Sequence, residues 1–407
     1  VSRLWREALS GAAERLELDA PAILCAGEFS PGELIALERE KVLGLVAQRM
    51  APDSHAAILA RAMALPTVAG LVPQTHWEGT FAALDGETGA LYLDPEGETL
   101  DGLTERARAR QEAAESLECF RTGSAVTRDG RSVSVCANIA APEEAALARK
   151  EGAQGVGLFR TEFLCLDKKQ CPGEEEQTAL YRRALEAMEG RRVVIRTLDI
   201  GGDKRPPWLE AGKGENPALG LRGIRLSLKK TELFRIQLRA ILRAAPYGTA
   251  AVMFPMVSSV EEVRAARALL EQCREQLEMQ DIPTGEVEVG VMIETPAAAL
   301  IAEDLAREAD FFSIGTNDLT QYTLAMDRQD PDLEGMYHPC HPAVLELIRR
   351  AVEGGHRHGR RVALCGQLGA ERSMTETLLR MGVDELSVPV GEVLGLKAHV
   401  STLDLSN

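Results

Sequence analysis

Several short apolar runs of this chain stop at residues able to do chemistry. Val362-Ala363-Leu364 ends at Cys365 and Gly366. Val156–Phe159 leads into Arg160-Thr161-Glu162, and Val193–Arg196 into Thr197-Leu198-Asp199. Val289–Ile293 is followed by Glu294-Thr295-Pro296. Phe311–Ile314 is followed by Gly315-Thr316-Asn317-Asp318, with Arg328 further on. Arg222 lies between the third and fourth runs, within Asn216–Arg225. Arg160, Arg196, Arg222 and Arg328 are planar, permanently charged forks suited to phosphate and carboxylate. Glu294 and Asp318 add hard oxygen ligands, and two carboxylates with water and a substrate form a usual Mg²⁺ arrangement. Such a set would bind a small phosphorylated carboxylic acid and neutralise charge during phosphoryl transfer. A lone cysteine is an apolar filler. Cys365 in this company is a candidate acid.

A second centre lies near the start of the chain. Ala56, Leu59, Ala60 and Met63 form an apolar stripe at helical spacing, with Pro66 limiting the helix and Ser54 or Asp53 as its N-cap. This puts His55 in the first turn, where free N–H groups and the helix dipole favour an anion. A phosphorylated imidazole would be stabilised there. The other histidines, at 76, 338, 341, 356, 358 and 399, show no metal spacing.

The elements that must position these groups fall into three parts. Residues 1–98 read as a small α/β unit with strands at Ala22–Ala26, Val42–Val46 and Ala90–Asp94. Residues 99–120, rich in Arg, Glu and Ala, read as a linker helix. Residues 121–407 alternate strand and helix. Strands are expected at Val133–Ala137, Val156–Phe159, Val193–Arg196, Ala251–Phe254, Val289–Ile293, Phe311–Ile314, Val362–Leu364 and Glu385–Val388. Eight βα repeats predict a TIM barrel, whose active site lies at the C-terminal ends of its strands. Gly201–Ala251 exceeds one crossover and reads as an insertion at that face. The short last helix, ending near Val400, leaves closure of the barrel as the open point.

Composition sets the bounds. The 407 residues are 45% hydrophobic and 27% charged, as in an ordinary globular protein. A net charge of -16 argues against nucleic-acid binding. No apolar stretch is long enough to insert in a membrane, and no signal peptide opens the chain. Eight dispersed cysteines without a CxxC pair suggest a reducing, cytoplasmic setting.

Over Ser54–Arg61, Gly157–Phe163, Thr197–Lys204, Glu294–Pro296 and Gly315–Tyr322 the chain resembles Enzyme I of the bacterial sugar phosphotransferase system. The resemblance implies a swivelling phosphohistidine domain joined to a barrel that binds phosphoenolpyruvate. Mg²⁺ would sit on Glu294 and Asp318. Arg160, Arg196, Arg328 and Asn317 would hold the phosphate, and Arg222 with Arg328 the carboxylate. His55 would take the phosphoryl group, Cys365 would protonate the enolate to give pyruvate, and His55 would pass the group to the carrier protein HPr. A homodimer through the barrel is also implied. Two departures stand out: Met50-Ala51-Pro52-Asp53 replaces a Gly-Gly-x-Thr run, and Gln367 stands where the family has Glu. The family's helical HPr-binding subdomain and its closing helices have no counterpart in the sequence. Two other readings remain: a fragment of a pyruvate phosphate dikinase or phosphoenolpyruvate synthase, and a phosphoenolpyruvate sensor without turnover.

Overall fold

The computed structural model describes every residue except 1, 6–17, 19, 52–54, 64, 167, 201–205, 207, 210–215, 334 and 407. The expected cap residues Asp53 and Ser54 lie outside the described residues, as do Asp203, Lys204 and Glu215. The chain divides into two compact units, Val1–Ser116 and Leu117–Asn407.

The first unit is one six-stranded sheet with short helices. Its strands are β1 (Ser2–Trp5), β2 (Ala22–Ala26), β3 (Val42–Ala47), β4 (Thr67–Ala69), β5 (Phe81–Asp85) and β6 (Ala90–Leu93), in the order β4-β3-β2-β1-β5-β6. β1 to β4 pair in parallel, and β5 and β6 form an antiparallel hairpin. β6 stops one residue short of expectation because Asp94 turns to a φ of 41°. Leu24, Leu34, Val42 and Leu45 fill the core. The helix His55–Ala62 lays Ala56, Leu59 and Ala60 on that core, three members of the expected stripe. A longer helix, Gly97–Ser116, ends the unit.

The second unit is a closed parallel barrel. A short β7 (Ala125–Val126) runs antiparallel to β8 (Ser132–Ile139). The barrel continues through β9 (Val156–Arg160), β10 (Val193–Arg196), β11 (Ala250–Phe254), β12 (Val287–Ile293), β13 (Phe311–Ile314), β14 (Arg361–Leu364) and β15 (Glu385–Pro389). β15 then pairs in parallel with β8, from Glu385↔Ser134 to Pro389↔Asn138, so the barrel closes. Each strand lies between the barrel interior and a helix layer, and therefore reads as a nearly unbroken apolar run. The interior holds Leu158, Val194, Ala251, Met253, Met292, Phe311 and Cys365 as packed side chains, not a pore.

Two local features complete the wall. Lys397, on the last helix Val393–Val400, is buried and donates to the carbonyls of Arg121 at 3.3 Å and Gly152 at 3.0 Å. That ties the chain's last helix to the segment entering the barrel. Gly201–Ala251 is only partly an insertion. Its helix Thr231–Ala244 buries Phe234, Leu238 and Ile241 as a normal outer-wall helix, and Gly223–Lys229 precedes it. Among the described residues of this crossover these are the two α-helices.

Candidate active site

The strand-end residues meet at the C-terminal mouth of the barrel. Arg196, the last residue of β10, donates Nη2 to Glu162 Oε1 at 2.6 Å and sets Nη1 3.2 Å from Asp199 Oδ2. Arg222 faces Asp199 at 3.2 and 2.9 Å and Asp318 at 3.1 and 3.4 Å. Its Nη1 also donates to the Tyr322 hydroxyl at 3.2 Å, and that hydroxyl donates to Ala218 O at 2.6 Å. Asp318 is not on a strand: the helix Thr316–Leu324 starts immediately after β13, so Asn317 and Asp318 occupy its first turn. Burial opposes the charge of both arginines, but Glu162 and Asp199 at Arg196, and Asp199 and Asp318 at Arg222, outweigh it and hold both above their ordinary values.

Glu294 follows β12 and is buried beside this chain of pairs. Its Oε1 accepts the Met256 backbone N–H at 2.6 Å. Met256 adopts a φ of 59°, uncommon for a side chain of that size. Gly223, at a φ of 55°, makes room for it; a Cβ there would lie 2.7 Å from Met256 Cβ. Burial pushes the Glu294 carboxyl up to about 8, helped by Asp318 and Asp199 and opposed by Arg196 and Arg222.

Four carboxyl groups, Glu162, Asp199, Glu294 and Asp318, are thus buried with two guanidiniums, Arg196 and Arg222. Buried charge is costly unless it is paired. Glu294 and Asp318 offer oxygen ligands of the type Mg²⁺ takes. Among the described residues no three His, Cys, Asp or Glu side chains form a cage by themselves. A cation here would need water or ligand oxygens to complete its shell. The Arg196 Nε is buried without a hydrogen-bond partner, a donor left over for an anion or water.

Cys365 follows β14 directly, and its backbone N–H donates to Ile314 O at 3.1 Å. Its thiol points to the same carbonyl at 3.7 Å. Burial pushes that thiol up to about 11, while Ser313 and Arg196 pull it down. Burial thus favours the protonated thiol at neutral pH. Asn317 accepts the Gln367 backbone N–H on Oδ1 at 2.9 Å, which joins the loop after Cys365 to the turn that carries Asp318. Arg160 stacks over Phe163 at 4.8 Å. Arg328 lies in the loop beyond the Asp318 helix, its backbone N–H donating to Gln321 Oε1 at 3.2 Å. His55 opens the helix His55–Ala62 of the first unit, and its side chain lies outside the described residues.

Sequence reasoning selected Arg196, Arg222, Glu294, Asp318 and Cys365, and the barrel brings them together. It noted Glu162 and Asp199 at strand ends but gave no role to them or to Tyr322. Asp199 and Glu162 carried the same signal as Glu294, a carboxylate just past a strand end. Tyr322 carried none, because its partner Arg222 is distant in sequence.

The barrel and the acid–base cluster at its mouth define a phosphoryl- or carboxylate-handling enzyme, and comparison with known proteins narrows the class. The family described as PEP-utilising enzyme, PEP-binding domain, matches residues 114–405, and PEP-utilising enzyme, mobile domain, matches residues 18–89. A phosphoenolpyruvate-protein phosphotransferase of Haemophilus influenzae is 41% identical over 96% of this chain and 68% of its own length. One from Bacillus subtilis is 39% identical over 94% of this chain and 67% of its own. A multiphosphoryl transfer protein of Xanthomonas campestris is 41% identical over 95% of this chain and 46% of its own length. The chain belongs to the phosphoenolpyruvate-utilising enzyme family, among its phosphoenolpyruvate-protein phosphotransferases. Among the described residues no helix is long and apolar enough to cross a membrane.

Proposed function

We propose that the chain transfers the phosphoryl group of phosphoenolpyruvate to His55 and releases pyruvate. The observation that carries this reading is the barrel-mouth cluster: buried carboxyls, two guanidiniums braced between them and a buried thiol held protonated, in one place. Arg160, Arg196, Arg328 and Asn317 hold the phosphate, while Arg222 and Arg328 place the carboxylate. Glu294 and Asp318 would hold Mg²⁺, which would supply positive charge to offset that of the phosphate and the enolate. The P–O bond to that oxygen breaks as a P–N bond forms at a ring nitrogen of His55. The Cys365 S–H then gives its proton to C3, yielding pyruvate, and solvent reprotonates the thiolate.

Residues 1–98 act in this reading as the mobile carrier of His55, with 99–120 as the linker and 121–407 as the substrate-binding barrel. His55 hands its phosphoryl group on to HPr in the cytoplasm as the first step of sugar uptake, and the barrel pairs with a second copy. Incubation with phosphoenolpyruvate labelled at phosphorus, plus Mg²⁺, should label the intact chain. His55→Ala should remove the label. A folded chain that takes up no label would sink the proposal, and binding without pyruvate formation would favour the sensor reading.

A further inference from the structure

We propose that Cys165 and Cys171 form a reversible disulfide at the barrel mouth, a modification site separate from the transfer chemistry. Their sulfur atoms lie 3.3 Å apart. A disulfide spans about 2.05 Å, so the atoms must close by only about 1.3 Å. Cys165 is buried on the short helix Phe163–Leu166, whereas Cys171 is partly exposed. Cys171 is therefore the thiol that meets a reagent first. The hydrogen bond with Cys165 lowers its pKa, and the charge of Lys168 adds to this. Attack begins from the thiolate, so both features favour Cys171 as the starting nucleophile.

The oxidant is a low-molecular-weight disulfide. The Cys171 thiolate attacks one of its sulfurs, forming a mixed disulfide and expelling one thiol. Cys165 loses its proton and attacks the Cys171 sulfur, expelling the second thiol. The two cysteines lose two electrons and two protons, and the reagent gains them as two thiols. In a reducing compartment such a pair rests as a dithiol and is oxidised only transiently.

Cys165 is tied to the segment that carries Glu162, and Cys171 to the following helix, Glu174–Ala187. The helix that carries Cys165 begins one residue after Glu162, which holds Arg196 at 2.6 Å. The Cys165 carbonyl accepts the Trp208 indole N–H at 3.3 Å, from the loop after β10. On the other side, Gln177 Nε2 donates to Pro172 O at 2.7 Å and lies 4.0 Å from Cys171 Sγ. Drawing the sulfurs together pulls on the segment that positions Arg160 and Glu162.

The sequence offers a direct test. The full chain is treated with oxidised glutathione, blocked with N-ethylmaleimide and digested with trypsin without reduction. Cleavage at Arg160, Lys168, Lys169 and Arg182 puts Cys165 in peptide 161–168 and Cys171 in peptide 170–182. The expected result is these two peptides cross-linked, and separated again by dithiothreitol. A stable glutathione adduct on Cys171 with no cross-link overturns the proposal, as does an unreacted pair. A second arm rests on the proposed function. Pyruvate formation should fall on the order of tenfold or more on oxidation, since displacing site groups by about 1 Å costs up to 10²-fold. Reductant should restore it, and Cys171→Ser should resist the loss. If Cys171→Ser is inactivated equally, the loss comes from Cys365 or another thiol and the coupling to this pair is refuted. The cross-link is read without any activity, so it stands or falls independently of the transfer reaction.

Discussion

Arg222 faces both oxygens of Asp318, Nη1 to Oδ1 at 3.1 Å and Nη2 to Oδ2 at 3.4 Å, and grips Asp199 with Nε and Nη2. One guanidinium therefore braces the end of β10 against the helix that follows β13. Arg222→Met would leave two buried carboxylates without this partner. Breaking a buried pair in that way costs about 3–5 kcal/mol. Arg222→Lys keeps the charge but not the planar fork, so it should fall between Met and wild type. Urea unfolding of the full chain reads the difference, and a loss below about 1 kcal/mol for Arg222→Met would show that the brace does not support the fold.

The barrel was legible because its strands are buried at nearly every position, so each reads as a short apolar run. β8 to β15 were all expected within a few residues of their observed bounds. β1, β4 and β5 were not, because they are short and the hairpin strand Phe81–Asp85 carries a mixed burial pattern. The bond from Arg222 to Asp318 spans 96 residues and has no local signature in the sequence. The burial that keeps Cys365 protonated has no local signature either. Burial there is made by Met292, Phe311 and other side chains from neighbouring strands.

If Glu294 and Asp318 hold Mg²⁺ as proposed, the ion should stabilise the full chain independently of turnover. A ligand at about 100 times its Kd adds about 2.7 kcal/mol to the folded state. Mg²⁺ without substrate should therefore raise the thermal midpoint of the wild type. Glu294→Gln and Asp318→Asn should each blunt that rise and weaken Mg²⁺ binding measured by calorimetry. A wild-type midpoint that ignores Mg²⁺ would mean that Glu294 and Asp318 hold no cation without substrate.

Gly366 is required for space, not for backbone freedom, since its φ is -80°. A Cβ at that position would lie 2.0 Å from Thr316 Oγ1 and 2.6 Å from Thr316 N. Gly366→Ala should push the loop after β14 off the Asp318 helix and lengthen the Gln367–Asn317 hydrogen bond. Overpacking of this kind costs about 1–3 kcal/mol. Pyruvate formation should drop further than the stability loss explains, because Cys365 and Asn317 both move. Gly391→Ala is the control: its Cβ would meet nothing within 4 Å, and its effect should stay within about 0.5 kcal/mol. Equal effects at the two positions would contradict the contact with Thr316.

Cys365 ties the site to pH in a direction that can be worked out. Burial raises the thiol from 9.0 to about 11. A group whose folded pKa lies above its unfolded value stabilises the fold fully below the unfolded value. That contribution is lost as pH rises through the folded one. The wild type should therefore lose stability between about pH 9 and 11, and Cys365→Ala should flatten that part of the curve. A donor in this state is also protonated throughout the neutral range, so pyruvate release should show no thiol ionisation near pH 7. Cys365→Ala should still form phosphorylated His55 but release pyruvate about 10²- to 10⁴-fold more slowly, the usual contribution of a positioned acid. Rapid-quench measurement of the two products separates the steps. If both were formed at wild-type rate, the proton would have to come from elsewhere, and the buried thiol would be packing alone.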